Sequence, residues 1–243
     1  MLRYPVNGTV HKVEQCQFRV GDDPWPYATA NGAAIEDLWR HASEENPAYF
    51  NGTIHLVDDL TISDGALHAR LLRTDFKSYL HWRRAGFPEA GSLDGFGSAL
   101  IWSSDGALIL GRQRKGNVNG GLVYPPSGFI DARDVGADGT IDIAASIIRE
   151  IGEETGLPVS DIRPELGFWI TQSSAQVSIA AGYKASMDAE TLKSRIERHI
   201  SSDPASELTE IVVVRSAADL RDLAMPPYAR VLLTELFAQG QSC

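Results

Sequence analysis

Cysteine is scarce: Cys16 and Cys243 are the two in 243 residues. They form no C-x-x-C pair, so neither a disulfide framework nor a structural zinc site is expected. Two isolated thiols suit a reducing compartment, and a cytoplasmic location is the expectation. Long apolar runs are also missing, and none approaches the about 20 residues of a membrane-spanning helix. The opening Met1-Leu2-Arg3-Tyr4-Pro5 lacks the charged-then-apolar pattern of a secretory leader. Basic residues are outnumbered, 22 Lys and Arg against 32 Asp and Glu, for a formal net charge of −10. That deficit argues against nucleic-acid and acidic-membrane partners, which need a basic face. It leaves small anionic ligands open, because a bound cation inverts the local field. No repeat or low-complexity tract interrupts the chain.

What the chain does have is Arg149-Glu150-Ile151-Gly152-Glu153-Glu154-Thr155-Gly156-Leu157. Upstream, Ile143, Ile147, Ile148 and Ile151 recur at helical spacing and form one apolar stripe. Glu150, Glu153 and Glu154 stand at i, i+3 and i+4 and share another face. Asp142 or Thr140 can cap the start, Gly156 suits a left-handed C-cap, and Pro158 stops continuation. Like charges this close repel on a plain helix surface. A hard divalent cation such as Mg²⁺ turns the same crowding into a site, since it takes oxygen ligands and shares its remaining positions with water and phosphate.

This string resembles the second half of the Nudix box, in which R-E-U-x-E-E-x-G-U (U a bulky aliphatic) follows a glycine and a first glutamate. Arg149, Glu150, Ile151, Glu153, Glu154, Gly156 and Leu157 all match. The first half departs from the pattern. Counting back from Arg149, the first glutamate falls on Ile141 and the leading glycine on Val135. Pro125-Pro126-Ser127-Gly128-Phe129-Ile130-Asp131 looks like the segment that opens the box in relatives. With Gly128 as the box glycine, about seven residues are inserted between Asp131 and Thr140, a length a surface loop tolerates. In the family the first glutamate mainly braces the loop, and the later three carry most metal contacts.

Residues 1–95 read as a small N-terminal α+β unit. Val10 to Val20 has strand alternation, Ile35 to Glu45 is helical, and Thr53–Ile62 and Ala66–Arg73 form a hairpin around Ser63-Asp64-Gly65. Thr74 or Asp75 can cap a helix through Arg84. The three glycines between Gly91 and Gly97 mark the boundary. The stretch Asn46-Pro47-Ala48-Tyr49-Phe50-Asn51-Gly52, with the hairpin and Thr74 to Tyr79, resembles the upstream region of Nudix enzymes that hydrolyse UDP-sugars to UMP and a sugar 1-phosphate. Residues 96–243 read as the Nudix hydrolase domain. It has a D-G hairpin at Asp105-Gly106, strands at Glu165–Ile170 and Val177–Tyr183, a helix at Ala189–Ile200, a strand ending at Val214 and a terminal helix at Tyr228–Phe237.

The resemblance implies an α+β protein: a Nudix-type α/β/α sandwich on a mixed sheet, with the N-terminal unit covering part of the cleft. It implies Mg²⁺- or Mn²⁺-dependent hydrolysis of the diphosphate bond in a nucleoside diphosphate linked to another group. Glu150, Glu153 and Glu154 are the metal ligands, Arg149 orients Glu150, and either Glu150 or Glu210 takes the proton. Family members also carry an acid outside the box, for which Glu210 is the first candidate and Glu207 the second. Arg112, Arg114 and Lys115 offer a cation clamp for phosphates. Gly128 and Tyr124 are the remaining substrate-binding candidates, and Phe129, Phe168 and Trp169 are further rings that either stack on a base or fill the core. A nucleotide-sugar sensor that binds without cleaving is the alternative.

Overall fold

The glutamate-bearing helix forms where the pattern places it. Asp142 caps it, its carboxylate accepting from the Ala144 and Ala145 amides at 3.0 and 3.1 Å. Gly156 ends it in the left-handed conformation (φ 66°), donating its amide to the Gly152 carbonyl. A side chain is excluded at Gly156 for a second reason: a Cβ there would lie 2.6 Å from the His199 ring.

A computed structural model describes residues 5–240; residues 1–4 and 241–243, and with them Cys243 and the start of the leader reading, lie outside the described residues. In chain order the first elements are β1 (Val10–Val13), β2 (Gln15–Val20), α1 (Pro26–Ala30), α2 (Gly32–Glu45), β3 (Thr53–Ser63), β4 (Ala66–Asp75) and α3 (Phe76–Arg84). The middle of the chain holds β5 (Asp94–Trp102), β6 (Leu108–Gln113), β7 (Val123–Tyr124), β8 (Ser127–Phe129), β9 (Thr140–Ile141) and α4 (Ile143–Thr155). The remainder holds β10 (Ile162–Ser173), β11 (Gln176–Ala185), α5 (Ala189–Ser202), β12 (Leu208–Val214) and α6 (Pro227–Ala238).

Two mixed sheets result. The larger runs β1-β10-β11-β5-β6-β12, with β7 on β6 and β8 on β5; the smaller runs β3-β4-β2-β9. Strand β5 is buried along its whole length, as a central strand covered on both faces must be. Its side chains alternate. Ala99 and Ile101 face a core that contains Ile143, Ile147 and Ile151 of α4 and Leu192 and Ile196 of α5. Leu100 and Trp102 face Leu232, Leu233 and Leu236 of α6. The larger sheet is therefore sandwiched between helices, giving the mixed α+β architecture expected.

The two sheets exchange strands. β1 pairs with β10 of the larger sheet, whereas β2, one residue further on, pairs with β4 of the smaller. The insertion returns the exchange, because β9 adds to β2 with Phe18 opposite Ile141. Val57 and Leu71 of the smaller sheet share the core of the larger one, while Leu56 and Leu72 turn to the aromatic cluster of Trp25, Phe76, Tyr79 and Trp82.

Two of the three glycines read as a boundary fall within a strand. Gly95 and Gly97 lie inside β5, and a Cβ at either would come within 2.6 Å of Val57 or Ile147 respectively. They are glycine because another element passes close over the strand, which is the other meaning of glycine in a strand. Cys16 is half-buried, and burial pushes its thiol up to about 12, so it stays unreactive near neutrality. Among the described residues, no helix is long and apolar enough to cross a membrane.

Candidate active site

A cavity of about 640 Å³ opens where the two sheets meet, within the size range of small-molecule sites. Glu150 and Glu153 of α4, Glu207 before β12, and Asp131 and Arg133 of the inserted segment line one part of it. Gly128 lies beneath Glu150. A Cβ at that glycine would stand 2.0 Å from the Glu150 carboxyl carbon and 2.3 and 2.4 Å from its oxygens. Gly128 is thus the residue that lets the carboxylate lie against the β8 backbone.

Glu154 sits behind this wall, buried, at 4% exposure. It accepts from the Gln113 side chain at 3.2 Å and the Ser127 amide at 3.0 Å. Burial, then the charges of Glu207 and Glu150, hold its carboxyl well above the ordinary range. Burial also raises Glu150, to about 7, against the pull of Arg149. Glu207 is reached by solvent, yet the concave wall around it and the charge of Glu153 raise it too.

Arg149 holds the acids in register. Its guanidinium donates to both oxygens of Asp134 at 3.1 Å, to Glu150 at 2.5 Å and to Glu153 at 3.3 Å. Arg133 ties Asp131 at 2.7 Å to Glu153 at 2.8 Å. The inserted segment is itself locked: Asp131 accepts from the Arg133 amide, and Asp134 accepts from the Asp131 amide. Burial would raise Asp131, but its bonds to Arg133 outweigh this and lower it. Ile141, at the aligned position of the first box glutamate, is buried against Phe18 and cannot carry a charge. Asp134 supplies the brace from elsewhere in the insertion. From the sequence, only the D-A-R-D run inside the insertion hinted at this.

The expected clamp of Arg112, Arg114 and Lys115 does not reach the cavity. Alternation along β6 turns Gln113 inward and its neighbours away. Arg112 pairs with Glu210 at 2.6 Å, Arg114 donates to the Ser206 carbonyl at 2.6 Å, and Lys115 is exposed. Glu210, taken first from the sequence, is therefore held by Arg112 outside the cavity, and Glu207, taken second, lines it. The cations that do line it are Arg133 and Arg83. Arg83 reaches from α3 to the Tyr79 hydroxyl at 3.0 Å and the Asn119 side chain at 2.6 Å. No sequence signal marked it.

Tyr124 and Phe129 line the cavity, while Trp169 is in the core beneath α6 and Phe168 packs elsewhere. Tyr79 and Gln176 donate to one oxygen of buried Asp94, at 2.9 and 3.0 Å, and among the described residues its other oxygen has no partner.

The donor chemistry fits a hard divalent cation: several carboxylates, raised in pKa by burial and mutual repulsion, at one wall of a cavity. Among the described residues, no three such groups are already gathered at metal-binding geometry. The ion pairs of Glu150 and Glu153 with Arg149 and Arg133 must loosen for them to converge.

No family model matches the sequence, and no curated protein matches it. Solved structures do resemble it. RenU, a Nudix hydrolase from M. smegmatis, aligns with a TM-score of 0.42 at 16% identity, over 60% of this chain and 86% of its own. The MutT protein of Methanosarcina mazei aligns with a TM-score of 0.42 at 20% identity, over 62% and 96%. The NUDIX domain of Shewanella oneidensis NrtR, solved with ADP-ribose, aligns with a TM-score of 0.39 at 14% identity, over 64% and 91%.

Proposed function

We propose that this chain hydrolyses the diphosphate bond of a nucleoside diphosphate linked to another group, in a Mg²⁺- or Mn²⁺-dependent reaction. The observation that carries the reading is the gathering of Glu150, Glu153 and Glu207 on one cavity wall with Glu154 buried behind them. Within it, Glu150 and Glu154 have charged forms disfavoured by burial, a common mark of a working site. The finer assignment, a UDP-sugar giving UMP and sugar 1-phosphate, rests on the resemblance of residues 46–79.

In this reading Glu150, Glu153 and Glu154 hold the cation. When bound, it supplies Lewis acidity toward the diphosphate and makes a coordinated water easier to deprotonate. Glu207, on the same wall and outside the set of three ligands, and Glu150 are the carboxylates placed to accept that proton. Arg149 keeps Glu150 in place. Arg133, at the rim of the acid cluster, exchanges its carboxylate partners for phosphate oxygens, a bidentate pairing arginine favours. Gly128 keeps the floor open.

The test is product analysis with UDP-glucose, UDP-galactose, ADP-ribose and NADH, each with Mg²⁺, Mn²⁺ or EDTA. Metal-dependent release of UMP and sugar 1-phosphate supports both parts. Cleavage of ADP-ribose or NADH instead keeps the reaction and removes the UDP-sugar assignment. A second reading, a sensor that binds a nucleotide-sugar without cleaving it, is favoured by the arginine pairs that occupy Glu150 and Glu153. Tight binding with no turnover of any compound would establish it.

A further inference from the structure

Phe50 is 81% exposed, the opposite of what a phenylalanine in the middle of a fold usually shows. Its neighbour Tyr49 does what is expected, stacking on Trp39 and meeting Phe76 edge-on in the aromatic cluster. Among the described residues, no ring contact includes Phe50, and yet it lines the cavity that holds the carboxylates.

The ring is not left loose. On one side, Asn46 donates to the Gly116 carbonyl at 3.0 Å and the Tyr49 hydroxyl donates to the same oxygen at 3.3 Å. On the other, the Asn51 side chain accepts from the Lys77 amide at 2.8 Å and donates to Asp75 at 3.2 Å. The Gly52 amide turns back onto the Phe50 carbonyl at 3.0 Å. The ring lies over Gly52, where a Cβ would already stand 3.3 Å from it. Seven residues, Asn46 to Gly52, thus hold one bare aromatic face at the cavity rim by side-chain bonds to two neighbouring segments.

We propose that Phe50 is the stacking platform for the nucleobase of the ligand, so that the loop 46–52 is the base-recognition loop. This rests on the reading of the cavity as a nucleoside diphosphate site and adds the residue that takes the base. An aromatic face gives affinity without reading base edges, because every base has a π-face. The platform therefore accepts uracil and adenine alike.

The experiment measures binding of UMP and of AMP in Mg²⁺ by calorimetry, with Mg²⁺–pyrophosphate as the ligand lacking a base. It compares the wild-type chain with Phe50→Ala and Phe50→Tyr. The expected result is a loss of about tenfold or more for both nucleotides in Phe50→Ala, the order that base stacking supplies. Phe50→Tyr binds as the wild type does, and pyrophosphate binding is unchanged throughout. Nucleotide affinity within twofold of wild type in Phe50→Ala overturns the platform and leaves the hydrolysis reading standing, since that is judged on wild-type turnover. An equal loss for pyrophosphate also overturns it. Failure of the wild type to bind either nucleotide, with no turnover of the substrate panel, removes the site reading and the platform together.

Discussion

Gly128→Ala tests the link between the β8 backbone and the glutamate helix. The new methyl carbon would stand 2.0 Å from the Glu150 carboxyl carbon. To regain ordinary carbon contact near 3.5 Å, the carboxylate must move by about 1.5 Å. Glu150 is the far end of a flexible side chain, so the carboxylate yields and the fold does not. A misplacement of about 1 Å in a reacting constellation can cost about 10²-fold in rate. The expected outcome is therefore a loss of about 10²-fold in turnover and weakened Mn²⁺ binding, with destabilisation of no more than about 1–3 kcal/mol. The assay pairs product release with a thermal melt and Mn²⁺ titration. Gly152→Ala is the control on the same helix, because its Cβ would meet nothing within 4 Å. It should stabilise the protein by about 0.5–1 kcal/mol and leave turnover unchanged. If Gly128→Ala keeps wild-type turnover and metal affinity, the close approach of Glu150 to the Gly128 backbone does not set the geometry of the working site, and the reasoning that links β8 to the carboxylate fails.

Glu154→Gln should fold and lose turnover. Because burial raises the Glu154 carboxyl well above its ordinary range, the neutral amide should also raise the melting temperature of the metal-free protein near pH 8, and a lower melting temperature there would contradict the burial argument. Asp134→Asn removes the bidentate partner of Arg149 and should destabilise by about 1–3 kcal/mol, read from denaturant unfolding. Ile141→Glu, which puts a glutamate where the Nudix-box pattern would place one by alignment, should not rescue it; it buries a charge against Phe18 and should unfold the protein at lower denaturant still. Glu150, with a folded pKa of about 7 against an ordinary 4.5, holds its proton more tightly in the folded chain. The folded state thus binds more protons than the unfolded one between those values, and metal-free stability should fall as pH rises through that window. Glu154 and Glu207 are raised in the same direction. Mg²⁺ should then raise the melting temperature more near pH 8 than near pH 5.5, since protons compete with it for the same oxygens. Equal Mg²⁺ effects at the two pH values would argue against binding at these carboxylates.

The helix of Ile143–Thr155 was legible in full from the sequence, because its cap, stripe, carboxylate face and glycine stop are all local. So were the hairpin of β3 and β4 and the helix capped by Asp75, for the same reason. The partners of strands were not. Val10 to Val20 alternates only loosely, and such a pattern says only that a segment is extended. It is silent on the break at Glu14 that sends β1 to one sheet and β2 to the other. Gly95 and Gly97 carry two meanings in sequence, linker or close approach, and only the passage of Val57 and Ile147 over β5 decides between them.

The site divides in the same way. The sequence by itself determined that Glu150, Glu153 and Glu154 share a helix face next to Arg149, since spacings of three and four on one helix leave little choice. Which further groups meet that face depends on strand pairing across long separations. β6 turns Arg112 and Arg114 away from the cavity, Glu210 follows Arg112, and Glu207 stays at the wall. The insertion brings Asp134 and Arg133 to the acids, and α3 brings Arg83 from more than forty residues upstream of the cavity floor at Gly128. A charged side chain looks the same in sequence whether it faces solvent, a partner or a cavity. Only the tertiary structure, which fixes the direction of each strand face and the neighbour across it, decides which of these it does.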